Sequence, residues 1–375
     1  MKNLRKYMLA VPMMGLAMLG MMTSCESENE DTEPVDVAQS QIDKQNPQMY
    51  QAYLENLRQY KKGEHKLCYV TFDNSAQIAA GRVDNLAALP DSVDVVALQV
   101  PSNVPEWQID EMNELRQEKG TRFVASFDFD AVKLKYDLWK QAVDTENEKL
   151  VQDAADAAQQ QSEETGEPVE PAPVDLIEIP TFEAYLVDSL STTVHLVDQY
   201  HYDGFVFAYK GKNISHMWDD EKAEYLNYHN LFTGIMSDWA TRNADKLFII
   251  QGLPQNMIDK TLLDKASFIV LDVTEQKTAA SMSLNLIMVC DEGVPMNKFV
   301  VLSETKSLDT ADIKTGCWAD GSTALLGTAT WAVAPQDGCS ILGIGVKNVS
   351  NDYYGEIRTY NNVRTAIGII NPSLK

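Results

Sequence analysis

The sequence is short of cations and of the residues that build disulfides and metal sites. Its 375 residues hold 31 lysines and arginines against 55 aspartates and glutamates, a formal net charge of −24. A surface this negative repels phosphate backbones, so no nucleic-acid partner is expected. Five cysteines are too few for a disulfide scaffold in a chain of this length. The five histidines show no metal-ligand spacing, so neither a metal nor another cofactor is predicted.

Long apolar runs are also missing, apart from one at the N-terminus, so no internal membrane span is predicted. Lys2, Arg5 and Lys6 precede an apolar stretch over residues 8–22, which is the order found in a secretory signal peptide. We assign residues 1–24 to that signal peptide. The chain is nevertheless 45% apolar, which is enough to bury a core and excludes global disorder.

The predicted signal peptide ends in Met-Thr-Ser, and Cys25 follows. Small residues and then a cysteine resemble a bacterial lipobox, which implies that Cys25 is lipidated and anchors the chain to the outer membrane. An ordinary signal peptide with an incidental cysteine is the alternative. Residues 25–46 begin with an acidic run, so we predict a solvated tether. The run also resembles the export signal of Bacteroidetes surface lipoproteins and implies exposure at the cell surface, with a periplasmic tether as the alternative.

From residue 47 onward a lead-in helix is followed by repeats of one unit: a short β-branched run, a polar loop and a helical stretch. Most of the runs are apolar throughout, as suits strands buried on both faces of a parallel sheet. The eight strand candidates are 66–72, 93–100, 121–127, 204–209, 246–251, 267–273, 298–303 and 324–333. Eight such units over residues 47–375 predict an α/β fold, a (β/α)8 TIM barrel. A doubly wound open sheet is the alternative, disfavoured because no glycine-rich phosphate turn is present.

One predicted connection is far too long. About 75 residues separate the third and fourth strands, where a helix and two loops need about 25. We assign residues 131–179 to a low-complexity acidic insertion, in which 141–178 holds eleven acidic residues and one lysine. It is predicted to be helical over 137–161 and a proline-rich loop over 167–180, before the barrel helix resumes at 182–200. The charge run is interpreted as a solvated face.

Polar side chains follow most of the predicted strands, at the edge where active sites of TIM barrels lie. A polar ring with one aromatic suits a sugar, because hydroxyls need donors and acceptors and the apolar face of a pyranose stacks on an aromatic plate. The predicted glycan-binding residues are Asp73, Asn74, Asp128, Tyr209, Lys210, Gln251, Asp272, Glu304 and Trp331, and Gln99 and Asp130 also lie at strand ends.

Residues 202–210 read Tyr-Asp-Gly-Phe-Val-Phe-Ala-Tyr-Lys. They resemble the fourth-strand signature of glycoside hydrolase family 18, the chitinase and endo-β-N-acetylglucosaminidase family. In the pattern Asp-Gly-x-(Asp or x)-Phe-Asp-x-Glu, residues Asp203, Gly204 and Phe207 match. The resemblance covers residues 47–375 apart from the insertion. It implies a barrel that binds oligosaccharides containing N-acetylglucosamine.

Two positions of the signature depart from the family. The resemblance gives its last Glu the protonation of the glycosidic oxygen, and gives the Asp two residues earlier the substrate's N-acetyl group, which is the nucleophile. In this chain those positions are Lys210 and Ala208, and strand alternation turns both to the same side, predicted to be the site. A lysine with an ordinary pKa of about 10.4 cannot replace a carboxylic acid as proton donor. The resemblance also makes Trp331 the floor beneath the central N-acetylglucosamine ring.

The sequence therefore predicts a catalytically inactive surface lipoprotein that binds N-acetylglucosamine-containing glycans, foremost host N-glycans, for a polysaccharide-utilisation system. A neighbouring glycan importer and endoglycosidase are partners that the resemblance implies. One alternative is an active glycosidase, such as an endo-β-N-acetylglucosaminidase, that uses Asp128, Asp272 or Glu304. Another is a structural or protein-binding barrel with a filled cleft.

Several of these residues also have structural interpretations. Asp203 is interpreted as a residue that holds the start of its strand, and Trp331 as either sugar platform or barrel core. Lys210 has the alternative of pairing with Glu304 or Asp272 and closing the cleft.

Two further questions stay open at the level of sequence. Asp128 and Asp130 have the alternative of capping the helix that follows them. Cys317 and Cys339 are available for a disulfide, and nothing in the sequence decides whether they pair.

Overall fold

The structure, a computed structural model, describes residues 46–336, 338–355 and 357–372. The predicted signal peptide, Cys25 and the predicted tether up to residue 45 lie outside the described residues. Within the described ranges, none of the helices combines the length and the apolar character needed to cross a membrane.

Eight parallel strands close into a barrel in sequence order, with β8 paired to β1. The strands are β1 (Leu67–Phe72), β2 (Val95–Leu98), β3 (Arg122–Asp128), β4 (Gly204–Tyr209), β5 (Leu247–Gly252), β6 (Phe268–Asp272), β7 (Phe299–Glu304) and β8 (Ile341–Lys347). The helices are α1 (Pro47–Lys62), α2 (Glu106–Lys119), α3 (Phe129–Thr165), α4 (Phe182–Gln199), α5 (Asp219–Arg242), α6 (Thr261–Lys265), α7 (Ala279–Val289), α8 (Ala324–Val333) and α9 (Asn361–Ile370). The predicted TIM barrel is confirmed.

Side chains alternate along each strand between the barrel interior and the layer beneath the helices. On β4, Val206 belongs to the interior cluster, whereas Phe205 and Phe207 pack outward against the helices. The interior cluster is filled by large and β-branched side chains, namely Tyr69, Val95, Ala97, Val124, Val206, Ile249, Phe268, Val270, Val300 and Leu302. The barrel is thus closed by its own side chains below the carboxyl ends of the strands.

The prediction of the eighth strand at residues 324–333 is wrong. That segment is α8, and the strand that closes the barrel is β8, at Ile341–Lys347. Short apolar runs do not distinguish a helix from a buried strand by periodicity. Two glycines concealed the true strand: a Cβ on Gly343 would lie 2.0 Å from the Leu67 carbonyl oxygen, and one on Gly345 would lie 2.8 Å from a Leu302 methyl carbon. Close approach of neighbouring strands, not strand propensity, determines these residues.

The insertion between β3 and β4 is a long helix with a returning segment. Helix α3 has 37 residues and begins directly at the end of β3, earlier than predicted, and Gly166 ends it in a left-handed conformation. The segment after it runs back along the helix, where Asn147 exchanges two hydrogen bonds with the backbone of Ile177, at 2.8 and 3.0 Å. Helix α4 then covers the outside of the barrel next to β3 and β4.

Candidate functional site

The segment that resembles the family signature lies on β4 and just past its end, and Val206, Ala208 and Lys210 share its interior side. Val206 is buried in the barrel interior, Ala208 is half-buried, and Lys210 is exposed just past the end of the strand. In register, Ala208 lies between Asp128 of β3 and Gln251 of β5. Ala208 and Lys210, which stand at the two acid positions of the signature that the sequence resembles, therefore open to the mouth, by which we mean the face of the barrel at the carboxyl ends of the strands.

Asn348, directly after β8, connects the ends of β1 and β7 at the mouth through hydrogen bonds. Its backbone N–H donates to Thr71 Oγ1 at 3.1 Å, and its Nδ2 donates to Glu304 Oε1 at 3.0 Å. Gln99 Nε2 donates to Asn348 Oδ1 at 3.4 Å. Asn348 adopts a left-handed conformation with φ 55°, which asparagine tolerates better than most residues. Sequence reasoning missed it because the eighth strand was assigned too early; a polar residue directly after the true β8 was the available signal.

The carboxylates of Asp272 on β6 and Glu304 on β7 face the mouth, and each is fixed by contacts with neighbouring side chains. Asp272 Oδ1 accepts hydrogen bonds from the Thr274 hydroxyl at 2.6 Å and from its backbone N–H at 3.1 Å. Glu304 lies beside Lys347 of β8, with 3.9 Å between Oε1 and Nζ. Deeper in the mouth, the Tyr69 hydroxyl donates to Gln251 Oε1 at 3.1 Å. These side chains present fixed acceptors and donors to the mouth.

Lys210 lies near the Asp130 carboxylate but forms no ion pair within 4.0 Å with any residue that the structure describes. The alternative that it pairs with Glu304 or Asp272 is therefore not observed. Asp128 caps α3, since its Oδ1 accepts the Ala131 N–H at 3.0 Å. Burial raises the pKa of Asp130, to which the Asp128 charge adds, while the Lys210 backbone N–H donates to that carboxylate and opposes the shift.

Trp331 does not lie at the end of a strand, and the prediction of its position is wrong. It belongs to α8, is 7% exposed, and donates from Nε1 to Ser283 Oγ at 3.0 Å. It therefore packs between α8 and α7, outside the barrel, and has no surface to offer a sugar ring. The core interpretation is the one that the structure supports.

Tyr209 and Asn74 are also placed differently from the prediction. Tyr209 points away from the mouth into the layer beneath α5, where its hydroxyl contacts the Tyr225 hydroxyl and His229 Nδ1. Burial lowers the pKa of His229 to about 4, which keeps this cluster neutral. Asn74 is 2% exposed, and its amide exchanges two hydrogen bonds of 2.8 Å with the backbone of Val100. Both residues hold the fold and cannot contact a ligand in the mouth.

The remaining predicted residues fall at the two ends of the barrel. Asp73 is exposed after β1, where its Oδ1 accepts the Ser75 N–H at 3.0 Å. Asp203 lies at the opposite end, at the start of β4, and accepts hydrogen bonds from Arg116 Nε at 2.9 and 3.0 Å and from the Phe123 N–H at 2.8 Å. Its structural interpretation agrees with these contacts. Among the described residues, no three His, Cys, Asp or Glu side chains are grouped to hold a metal ion.

Comparison with known proteins places the chain in a family. The family model "Glycoside hydrolase family 18, BT1044-like" matches residues 30–165 and 175–369, so the chain belongs to glycoside hydrolase family 18. A solved structure of BT1044, a selenomethionine form with a Glu-to-Gln substitution, is similar at 14% identity and TM-score 0.56, covering 89% of this chain and 96% of that one. No curated protein sequence matches.

A second solved structure supports the same fold. The apo endo-β-N-acetylglucosaminidase from Cordyceps militaris is similar at 15% identity and TM-score 0.54, covering 86% of this chain and 96% of that one. At this identity the likeness shows the fold alone.

Proposed function

We propose that this protein binds N-acetylglucosamine-containing glycans at the mouth of its barrel and does not hydrolyse them. The observation that carries the proposal is the pair Ala208 and Lys210, which occupy the two acid positions of the family signature on the mouth-facing side of β4. Membership of glycoside hydrolase family 18 supports a glycan as the ligand.

Residues 208 and 210 supply neither a general acid nor a partner for the substrate's N-acetyl group, the two groups that hydrolysis in this family needs. The methyl group of Ala208 makes no hydrogen bond, so it cannot orient a substrate N-acetyl group for attack. The ammonium group of a lysine is a far weaker acid than a glutamic acid tuned to about 6. Loss of the general acid alone lowers a rate by about 10²–10⁴-fold.

The mouth retains groups that suit sugar hydroxyls. Gln251, Asp272, Glu304 and Asn348 offer amide and carboxylate atoms that are fixed by neighbouring bonds, so little side-chain entropy is lost on binding. Lys210 adds an exposed donor. Together these groups form a polar ring with both donors and acceptors.

The stacking surface must come from residues other than Trp331. Two aromatic side chains are largely exposed on connections that leave the mouth: Trp218, 84% exposed between β4 and α5, and Tyr354, 64% exposed between β8 and α9. An exposed indole or phenol ring at a site for sugars offers a flat apolar surface to a pyranose face. We propose that Trp218 and Tyr354 take the role that the sequence gave to Trp331.

A second candidate function is hydrolysis by other carboxylates. Asp272 and Glu304 lie on adjacent strands, both face the mouth, and a pair of carboxyl groups about 5–9.5 Å apart is what a glycosidase needs. Their oxygen atoms are already engaged with Thr274, Asn348 and Lys347, which favours binding over catalysis.

Isothermal titration with chitooligosaccharides and N-glycans, together with mass-spectrometric detection of products, separates these functions. We expect binding by the wild type without product. Asp272→Asn and Glu304→Gln should weaken binding, and the matched change Glu292→Gln, in the exposed loop before β7, should not. Trp218→Ala and Tyr354→Ala should each weaken binding about tenfold, or about 1.4 kcal/mol.

Two outcomes contradict the proposal. Product formation that disappears in Asp272→Asn or Glu304→Gln would establish the hydrolase. Absence of both binding and product would favour the barrel with a structural or protein-binding role.

We further propose that the chain is a lipoprotein anchored through Cys25 at the cell surface, where it presents glycan to an importer and an endoglycosidase. The order of charged, apolar and small residues before Cys25 supports this. Cys25→Ala should release the protein from the membrane fraction or leave an unprocessed precursor. Unchanged fractionation of that variant would refute the lipid anchor.

A further inference from the structure

Two cysteines that lie far apart in the sequence meet at the N-terminal face of the barrel, where the strands begin. Cys290 ends α7 and precedes β7, and Cys339 precedes β8. Their sulfur atoms are 2.7 Å apart, although 49 positions separate the residues. Two sulfur atoms that are not bonded pack further apart than this, and a disulfide needs about 2.05 Å.

We propose that Cys290 and Cys339 form a disulfide in the mature protein. In the reaction the two thiols lose two protons and two electrons as the Sγ–Sγ bond forms. The disulfide of a thiol–disulfide oxidoreductase of the cell envelope accepts them and becomes a dithiol. Export of the chain, which its N-terminal segment predicts, brings it to the compartment where such exchange occurs. The proposal does not depend on glycan binding.

The surroundings hold the two sulfur atoms in this position. β7 and β8 are paired from their first residues, Phe299 with Ile341, so the two connections that lead into them run side by side. The Ser340 N–H donates to the Met296 carbonyl at 2.8 Å and ties these connections together next to the sulfur atoms. Formation of the bond therefore requires only a small side-chain adjustment.

The environment of Cys290 favours the bonded state over a reactive thiolate. Burial raises the pKa of its thiol, and the Cys339 sulfur adds to the shift. A disulfide whose reduced form is not stabilised as a thiolate is a weak oxidant, so the bond would be structural and resistant to reduction. The loop that the disulfide would close includes β7 and α8. Cross-linking a loop of this length lowers the conformational entropy of the unfolded chain and so stabilises the folded state.

The other two described cysteines are internal controls. Cys68 is 1% exposed within β1, and burial raises the pKa of its thiol. Cys317 lies in the connection between β7 and α8, and the structure gives Cys339 a different neighbour, so the Cys317–Cys339 pairing that the sequence left open is not the one observed.

The test uses full-length protein made with its own N-terminal segment and taken from the cell envelope. The sample is quenched in acid, denatured, and alkylated before and after reduction, and the peptides are identified by mass spectrometry. We expect Cys68 and Cys317 to be alkylated before reduction and Cys290 and Cys339 only after it, with a linked peptide two hydrogens lighter than the sum of its parts. Alkylation of Cys290 and Cys339 before reduction overturns the proposal.

Thermal unfolding provides a second readout. Reductant should lower the Tm of the wild type by about 5 °C or more. It should not change the Tm of the Cys290→Ser, Cys339→Ser double variant, and the control Cys317→Ser should respond as the wild type does. A wild-type Tm that is insensitive to a reductant shown to reduce all thiols would contradict the proposal.

Discussion

The two faces of the barrel use charge in different ways. At the N-terminal face, lysines donate to backbone carbonyl oxygens of neighbouring segments at 2.6–2.9 Å. The contacts are Lys61 with Val93, Lys66 with Ile341, Lys246 with Tyr202, and Lys298 with Asp264 and Ala266. Each of these lysines precedes or lies beside a strand and fixes its start.

At the mouth, by contrast, several charged and polar side chains are left accessible. Lys210 forms no ion pair within 4.0 Å among the described residues, and Asp73 and Gln99 are exposed. The N-terminal face therefore stabilises this barrel, whereas the mouth leaves polar groups exposed, which agrees with the ligand site proposed there. This division is general for TIM barrels.

The largest expected effect comes from Trp331, which the structure places with the stabilising regions and not with the mouth. Trp331→Ala removes a buried ring and leaves Ser283 Oγ without its donor. We expect the free energy of unfolding to fall by about 3–5 kcal/mol. Chemical denaturation measures this, and titration of the folded fraction should show wild-type glycan affinity. A variant that is as stable as the wild type but binds glycan more weakly would show that Trp331 contacts the glycan after all.

The next effect concerns Asp94, which braces the start of β1. Its carboxylate accepts hydrogen bonds from the Cys68 N–H at 2.8 Å and from His65 Nε2 at 2.9 Å, and both side chains of the His–Asp pair are buried. Asp94→Ala leaves these donors unpaired, so we expect a loss of about 3 kcal/mol in the free energy of unfolding. Asp73→Ala, at the exposed end of the same strand, is the matched control and should change it by less than about 0.5 kcal/mol.

The His65–Asp94 pair also predicts a pH dependence. Asp94 raises the pKa of His65 by its hydrogen bond, against the opposing effect of burial. The folded state therefore binds this proton more tightly than the unfolded state. The resulting stabilisation is complete below the unfolded-state pKa of about 6.5, and it is lost as the pH rises through the raised folded-state pKa.

Denaturant titrations from pH 5.5 to 8 test this trend. His65→Gln should remove the decrease in stability that the wild type shows on going up in pH. The range stops at pH 8 because burial lowers the pKa of Lys61 to about 8, and its titration would add the opposite trend above that value. An identical slope in wild type and variant would assign the pH dependence to another group.

The smallest effect on stability is expected at the mouth, and two lysine variants, one at each face, test the difference between the faces. Lys210→Ala should change the free energy of unfolding by less than about 0.5 kcal/mol. It should weaken glycan binding about tenfold, equivalent to about 1.4 kcal/mol. Lys246→Ala, at the N-terminal face, should do the reverse: it should lower stability by about 1–2 kcal/mol and leave affinity unchanged. Equal behaviour of the two lysine variants would remove the proposed division between the faces.

The barrel, seven of its eight strands and the shared orientation of Ala208 and Lys210 on β4 were predictable from the sequence. These features are local: apolar β-branched runs repeat along the chain, and Ala208 and Lys210 share a face by strand alternation alone. The long acidic connection between β3 and β4 was visible for the same reason.

The last strand and the composition of the mouth depend on tertiary contacts that no local pattern in the sequence reveals. β8 contains Gly343 and Gly345 because neighbouring strands approach too closely for a Cβ, and that contact involves residues far away in the sequence. Because β8 is Ile341–Lys347, Asn348 lies at the mouth and Trp331, which the sequence placed there, does not. The meeting of Cys290 and Cys339 likewise depends on the pairing of β7 with β8, which brings together segments that no local pattern connects.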